Sequence, residues 1–480
     1  MAITSSPQPY NNILIFPFMV QSHTLPLLDL SKVFSHKGFT VTIVTTLSNA
    51  LTIPECIKSY PNIHIIEIPF PSSPDISIPN ACKYESQLPN MSLFFPFFEA
   101  TFQLQQPFEK ILQEMSESGS LPICVISDYF FMWTISSCRK FNVPRFVFHG
   151  TGVLGMAITK SVYAHGSNIS IGSQTDPIHI PDVELPFTLT LNDMPHLIIV
   201  NYPSDPWYQL MSEIGECEKE SSGIIVNSFM ELESEHVSSL ESFYQDGCKA
   251  WCVGPLLLYD EMVKLNDYHK ITPSEPYLKW LDDRDTHNSV IYVCFSSHCD
   301  VPDVQLDEIV YGLEMSGHPF IWAAKSKTWA LPDGMEDSIK DRGWIVRDWV
   351  DQRSILAHPA IGGFVSHCGW NSVLESLCMG VPLLGWPMDA EQPLNVKFVV
   401  DVLEAGISIP LKHDEIVKVD RKVISDAVKE LMESDKGKKV REKAEQVGKL
   451  ARQAVQKGGS SDQNLDELVD YLCGVNKKKM

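Results

Sequence analysis

Short apolar runs rich in β-branched residues alternate with helical patterns along this chain, and the pattern starts twice. Parallel strands cannot be joined by a tight turn. Each needs a crossover, and a helix fills that role, so the alternation selects a doubly wound parallel sheet. In the first half the candidate strands are Asn12–Phe16, Thr40–Thr46, Ile123–Ser127, Arg145–Phe148, Gly223–Ser228 and Ala250–Val253, with Pro17–Ser22 as a loop and a helix over Thr24–Ser35 closed by Lys37-Gly38. The grammar restarts at Ser289–Ser297 and continues through Pro319–Ala323, Trp344–Arg347, Gly362–Ser366, Pro382–Trp386 and Ile407–Pro410. Between the halves, prolines and mixed charge without periodicity mark a linker. A chain of 480 residues exceeds what one core supports. The expectation is an α/β protein of two doubly wound domains, residues 1–254 and 289–460, joined by a linker at 255–288 and facing each other across a cleft. A last helix over 461–480, capped by Ser461 or Asp462 after the break Lys457–Ser461, is expected to pack back on the first domain.

The net charge of -22 argues against nucleic acid or an anionic membrane as partner. It also requires that any bound phosphate be held by local geometry, because the global field repels it. No apolar run has the length of a membrane span. The N-terminus, MAITSSPQPYNN, has neither the charged nor the apolar region of a signal peptide. Twelve cysteines include no C-x-x-C pair, and several fall in apolar runs, which suits free thiols in a reducing compartment. A cytoplasmic location is expected. The tail Lys477–Lys479 reads as a solvated end.

Trp349–Gln392 places aromatic, imidazole, amide, hydroxyl and carboxylate groups around glycines within a strand–helix–strand pattern. That inventory suits a flat base, a ribose diol, two phosphates and a sugar. His367-Cys-Gly-Trp-Asn-Ser372 follows the strand Gly362–Ser366 and opens an apolar helix running to about Met379. Free N–H groups and the positive end of the helix dipole therefore lie where a pyrophosphate could bind. Glu375, one turn after Asn371 on the same face, could accept from both ribose hydroxyls. Ser372-Val-Leu-Glu375 equally matches a capping box, in which both side chains serve the helix itself.

Along its whole length this stretch resembles the signature box of the plant family 1 UDP-glycosyltransferases. The loop around His23, the SVIYV strand and the KGGSSDQNL tail resemble that family's layout as well. The resemblance implies the two-domain GT-B arrangement of Rossmann-like domains. It implies that Trp349 stacks on uracil, that the backbone of Val350 bonds its edge, and that Gln352 and Glu375 hold the ribose. His367, Asn371 and Ser372 would bind the diphosphate, with Ser297 reaching it from the first strand of the second domain. Trp370, Glu391 and Gln392 would face the sugar, and a glutamine at the end of the box goes with UDP-glucose. The chain departs from the family at Val350-Asp351, where Ala-Pro is usual, at Ser296, where glycine is usual, and at Ser22, again in place of glycine.

His23 follows the first strand, and Asp128 ends the strand Ile123–Ser127, so both sit at the carboxyl edge of one sheet, where ligands gather. A histidine near neutral pKa suits removal of an acceptor proton, and an aspartate on its other nitrogen would fix the tautomer. His23 could alternatively serve only as a polar residue at the helix start. The resemblance implies that His23 and Asp128 are catalytic, that transfer proceeds by a single inverting displacement giving a β-O-glucoside, and that no metal or other cofactor takes part. Asp283-x-Asp285 could ligate a hard cation, but beside Arg284 in the linker it reads as a solvated turn.

Met91–Phe102 and Tyr129–Trp133 are unusually aromatic, and Met194, Trp207 and Tyr208 lie in a loop-rich region. These segments could line a pocket for a flat phenolic or terpenoid acceptor, or belong to the core. Ser22, Phe130, Met91 and Met194 are the acceptor candidates, and His149 and Thr151 are candidates for the glucose 6-hydroxyl. The expected partners are UDP-glucose and a small lipophilic plant metabolite such as a flavonoid, acted on by a monomer. The alternatives are C-glycosylation of an activated phenol, or a non-catalytic nucleotide-sugar binder on the same scaffold. A nicotinamide dehydrogenase is excluded, because no strand is followed by G-x-G-x-x-G.

Overall fold

The computed structural model describes residues 11–50, 53–71, 93–166, 169, 172–173, 175–194, 205–259, 275–295, 301–324, 326, 328–410 and 418–477. Two parallel sheets dominate it. The first has seven strands in the order β3-β2-β1-β4-β5-β6-β7, and the second six in the order β10-β9-β8-β11-β12-β13. In chain order these are β1 Asn12–Phe16, β2 Thr40–Thr46, β3 Ile63–Ile68, β4 Cys124–Asp128, β5 Arg145–His149, β6 Gly223–Val226 and β7 Ala250–Cys252, then β8 Val290–Cys294, β9 Phe320–Ala323, β10 Gly343–Val346, β11 Ile361–Ser366, β12 Leu383–Gly385 and β13 Gly406–Ser408.

Every strand of both sheets appears in the apolar pattern except β3. Its sequence, IHIIEI, interleaves His64 and Glu67 with isoleucines and forms the outer edge, where one side meets solvent. Strand alternation sends successive side chains to opposite faces. Leu14 and Phe16 accordingly enter one apolar core with Phe97, Phe108 and Phe131. Ile13 and Ile15 enter another with Phe34, Trp251 and Leu468.

Each sheet has one point where the strand order reverses, β1/β4 in the first and β8/β11 in the second. Connections leave such a pair in opposite directions and open a crevice at the carboxyl ends. His23 follows β1 and Asp128 ends β4, while His367 follows β11. The sheets are not independent bodies, since one continuous buried cluster includes Val147 and Ile224 of the first and Tyr292, Phe364 and Trp370 of the second.

The helix after β1 spans Gln21–His36, three residues earlier than its sequence suggests, and encloses Pro26. Val20 at its start makes no side-chain cap, so no capping signal marked the boundary. The helix Ser460–Lys477 lies against the first sheet. Leu465, Leu468 and Leu472 join the core of Trp251 and Val253, Ser461 bonds the carbonyl of Gly254, and Lys37 pairs with Asp466 at 2.6 Å. Among the described residues no helix is long and apolar enough to cross a membrane, and none of the ten cysteines is in a disulfide.

Candidate active site

At the first crevice, His23 Nδ1 lies 2.7 Å from Asp128 Oδ2, across 105 residues of sequence. Asp128 is fully buried and His23 is part-exposed. The aspartate is fixed on every side. Its Oδ1 accepts from the Phe130 N–H at 3.0 Å, and its carbonyl accepts from Arg145 Nη2 at 3.1 Å. Arg145 is itself buried and also donates to Ser127 Oγ and Ser221 Oγ. With Asp128 ionised, Nδ1 of His23 is the donor of the pair, and Nε2 is left as the basic nitrogen. The imidazole is stacked on Phe130, with ring centroids 5.6 Å apart.

At the second crevice, β11 passes through Ser366 into a tight turn in which Cys368 adopts a left-handed φ of 61°. The Cys368 N–H is taken by Ser366 Oγ and its carbonyl by Asn395 Nδ2, each at 3.0 Å, which holds the turn closed. The helix Trp370–Cys378 then begins at Gly369 with no side-chain cap, so its first N–H groups have no helical partner. His367 stands half-buried beside this opening.

Three residues nominated for the nucleotide converge. Gln352 Nε2 donates to Ser372 Oγ at 3.0 Å and to Glu375 Oε2 at 2.7 Å, while its carbonyl accepts from the Tyr292 hydroxyl at 3.1 Å. Ser372 and Glu375 are thus tied to a neighbouring helix rather than reciprocally capping their own. Asp351, at the position where the family usually has proline, caps the helix Gln352–Leu356 by accepting from the Ser354 N–H. Val350 is buried. Trp349 is 64% exposed, an open aromatic face.

The residues nominated for the sugar are more enclosed. Trp370 is buried, and its indole donates to the carbonyl of Asn227 at 2.9 Å, against the first half of the chain. A Cβ on Gly152 would come within 3.0 Å of that indole, so glycine is what admits the contact. Gln392 Oε1 accepts from the N–H groups of Met388 and Asp389, folding the loop before it. Asn395 holds Glu391 Oε1 at 3.3 Å. Burial pushes the Glu391 carboxyl above its usual range, with the nearby His23 opposing that shift.

Phe130, the aromatic acceptor candidate, is buried within an aromatic wall with Phe18, Phe94, Phe98 and Trp207. Ser22 is exposed at the mouth. Met194 is buried in the other cluster, with Val147 and Ile180, not in this wall. His149 is fully buried, bonded through Nε2 to the Tyr244 hydroxyl at 2.8 Å and stacked under Tyr129. Thr151 Oγ1 is buried with no hydrogen-bond partner. Met91, Ser296 and Ser297 lie outside the described residues.

Sequence reasoning missed Arg353, Asp29, Asn395 and Arg145. Arg353 donates through Nε to Glu375 Oε1 at 3.0 Å and through Nη2 to Asp29 Oδ2 at 2.8 Å. Its only signal was a cation beside Gln352, ahead of the apolar pair Ile355-Leu356. Asp29 carried the clearer one, a carboxylate in the midst of a buried helix.

Comparison with known proteins identifies the family and the fold. Residues 272–445 match the family model described as UDP-glucoronosyl and UDP-glucosyl transferase, and residues 11–258 match the glycosyltransferase N-terminal domain. The chain is 37% identical to UDP-glycosyltransferase 90A1 of Arabidopsis thaliana, covering 97% of each. It is 35% identical to UDP-glycosyltransferase 73C13 of Barbarea vulgaris, covering 98% of each. Among solved structures, that of UGT73P12 from Glycyrrhiza uralensis, complexed with glycyrrhetinic acid 3-O-monoglucuronide, superposes with a TM-score of 0.85 at 28% identity, covering 98% of this chain and 97% of that one. UGT89C1 of Arabidopsis thaliana, complexed with quercetin, gives 0.76 at 26%, covering 96% and 99%.

Proposed function

Since the chain belongs to the plant family 1 UDP-glycosyltransferases, we propose that it is an inverting, UDP-glucose-dependent enzyme forming β-O-glucosides of small lipophilic acceptors. The observation that carries this reading is the His23–Asp128 pair, poised at 2.7 Å on the wall facing the donor box. His23 Nε2 takes the proton of an acceptor hydroxyl while Asp128 accepts from Nδ1–H and stabilises the imidazolium. The freed oxygen attacks the anomeric carbon from the side opposite UDP. The bond from that carbon to the phosphate oxygen breaks, and UDP leaves with the electron pair. An α-linked donor thereby gives a β-glucoside.

The remaining roles follow the same reading. Trp349 stacks on uracil, and the Val350 backbone bonds its edge. Gln352 and Glu375 hold the ribose. His367, Asn371, Ser372 and the open helix N-terminus meet the diphosphate charge, with Ser297 as a further contact, so the mechanism routes no step through a metal. Gln392 selects glucose, with Glu391 and Trp370 bounding the sugar. The aromatic wall around Phe130 suits a flat or polycyclic acceptor, with Ser22 and Met91 as further candidates. The quercetin and the triterpenoid glucuronide bound by relatives have that character. The enzyme acts as a monomer in the cytoplasm.

The test is incubation with UDP-glucose and, separately, UDP-galactose over a panel of flavonoids, simple phenols and triterpenoids. A mass gain of one hexose from UDP-glucose, in an acid-labile β-linkage, is expected. An acid-stable product would establish C-glycosylation instead. UDP binding with no turnover on any acceptor would leave a nucleotide-sugar binder.

A further inference from the structure

The helix Gln21–His36 carries His23 in its first turn and touches the donor box at two points. Asn371 Nδ2 donates to the Ser22 carbonyl at 2.6 Å, and Arg353 Nη2 donates to Asp29 Oδ2 at 2.8 Å. Ser22 and Asp29 are seven residues apart, about two turns, and so lie on one helix face. Asp29 is buried, and a buried carboxylate requires a partner. Lys32 lies 3.5 Å from its other oxygen.

The other arm of Arg353 reaches the donor pocket itself. Glu375 receives Gln352 on Oε2 and Arg353 on Oε1. Each carboxylate oxygen has two acceptor sites. One site on each oxygen therefore remains, which is what a vicinal diol needs. A guanidinium presents its donors in a rigid fork, so the two arms fix the two carboxylates relative to each other. Although burial opposes its charge, Asp29 and Glu375 together hold the Arg353 proton more tightly than usual.

We propose that Arg353 is a positioning residue for transfer, orienting Glu375 toward the donor ribose while locking the His23 helix in register with the donor box. The proposal rests on the reading of Glu375 as the ribose acceptor and His23 as the base. The two arms make separable contributions. The Glu375 arm governs recognition of the ribose hydroxyls, and the Asp29 arm governs the placement of His23 against the sugar.

Four variants, Arg353→Met, Arg353→Lys, Asp29→Asn and Glu375→Gln, separate these roles. UDP and 2′-deoxy-UDP affinities are measured by calorimetry, and kcat at saturating UDP-glucose with the acceptor found by the panel above. Arg353→Met is expected to weaken UDP binding about ten- to a hundredfold, the factor set by one charge-assisted hydrogen bond, and to weaken 2′-deoxy-UDP binding less, so that their ratio shrinks. Asp29→Asn is expected to hold UDP affinity within about twofold while kcat falls about tenfold. Arg353→Lys keeps the charge but only one arm. It gives an intermediate ratio and supplies folded protein if the methionine variant does not fold. A purely structural ion pair would lower thermal stability and leave both the nucleotide ratio and kcat at wild-type values, and that result overturns the proposal. If Glu375→Gln shrinks the ratio and neither Arg353 variant does, the proposal alone fails. If Glu375→Gln also leaves the ratio intact, the reading of Glu375 fails and the proposal falls with it.

Discussion

Asn371 donates to the carbonyl of Ser22 at 2.6 Å across the cleft, and Pro26 is the reason that carbonyl is available. In a continuous helix the N–H of residue 26 would bond the carbonyl of residue 22. Proline has no N–H to give. A residue that ordinarily disrupts a helix here leaves one acceptor pointing at the opposite wall.

Pro26→Ala restores that N–H and sets it in competition with Asn371 for the same oxygen. Thermal stability should hold or rise, since alanine is the better helix former. The kcat/KM for UDP-glucose should fall about fivefold, the worth of one ordinary hydrogen bond. Steady-state kinetics and a melting curve on the same preparation decide it, and an unchanged kcat/KM would refute the coupling.

His23→Ala should lower kcat roughly a hundred- to ten-thousandfold, the range for loss of a positioned general base. UDP affinity, measured by calorimetry, should stay within about twofold, because no nucleotide contact is removed. Asp128→Asn should fall in the same range by favouring the wrong tautomer. Wild-type turnover in either variant would dismiss the assigned base.

Trp349 is exposed, and its proposed role is a stacking platform. Base–aromatic stacking contributes roughly 1–3 kcal/mol, so Trp349→Ala should raise the KM for UDP-glucose about five- to a hundredfold with little change in kcat. Because the side chain supports little of the core, its melting temperature should match the wild type. A kcat loss at unchanged KM would place Trp349 elsewhere in the mechanism.

Burial lowers the His149 pKa to about 4, so the imidazole is neutral at neutral pH. An unfolded histidine takes its proton near 6.5. Between those values the unfolded chain binds the extra proton. The stabilising contribution is therefore complete above about 6.5 and is lost as pH falls toward 4, up to about 3 kcal/mol in all. His149→Gln should flatten the fall in stability across that window, as measured by urea unfolding at several pH values. A wild-type slope in the variant would show that other groups set it.

Much of this architecture was legible in the chain. Strands such as Thr40–Thr46 and Ser289–Ser297 announce themselves because central strands of a parallel sheet are buried on both faces and must be apolar throughout. Strand β3 was missed because an edge strand tolerates His64 and Glu67. Gln352, Ser372 and Glu375 lie close in sequence, so local pattern could group them before the fold was known. The start of the helix Gln21–His36 was misplaced because no side chain caps it.

By itself the sequence determined the two parallel sheets, the family and the inventory of donor-box groups, all of which depend on short-range periodicity and contiguous motifs. Only the tertiary structure decided which residues meet across the cleft. Asn371 reaches Ser22 because Pro26 leaves that carbonyl open. Arg353 joins Glu375 to Asp29, a residue 324 positions away. Such contacts depend on chain reversal and sheet packing, which no local window of residues encodes. The same holds for Trp370, whose indole the motif assigned to the sugar and whose surroundings place it against Asn227 and Gly152.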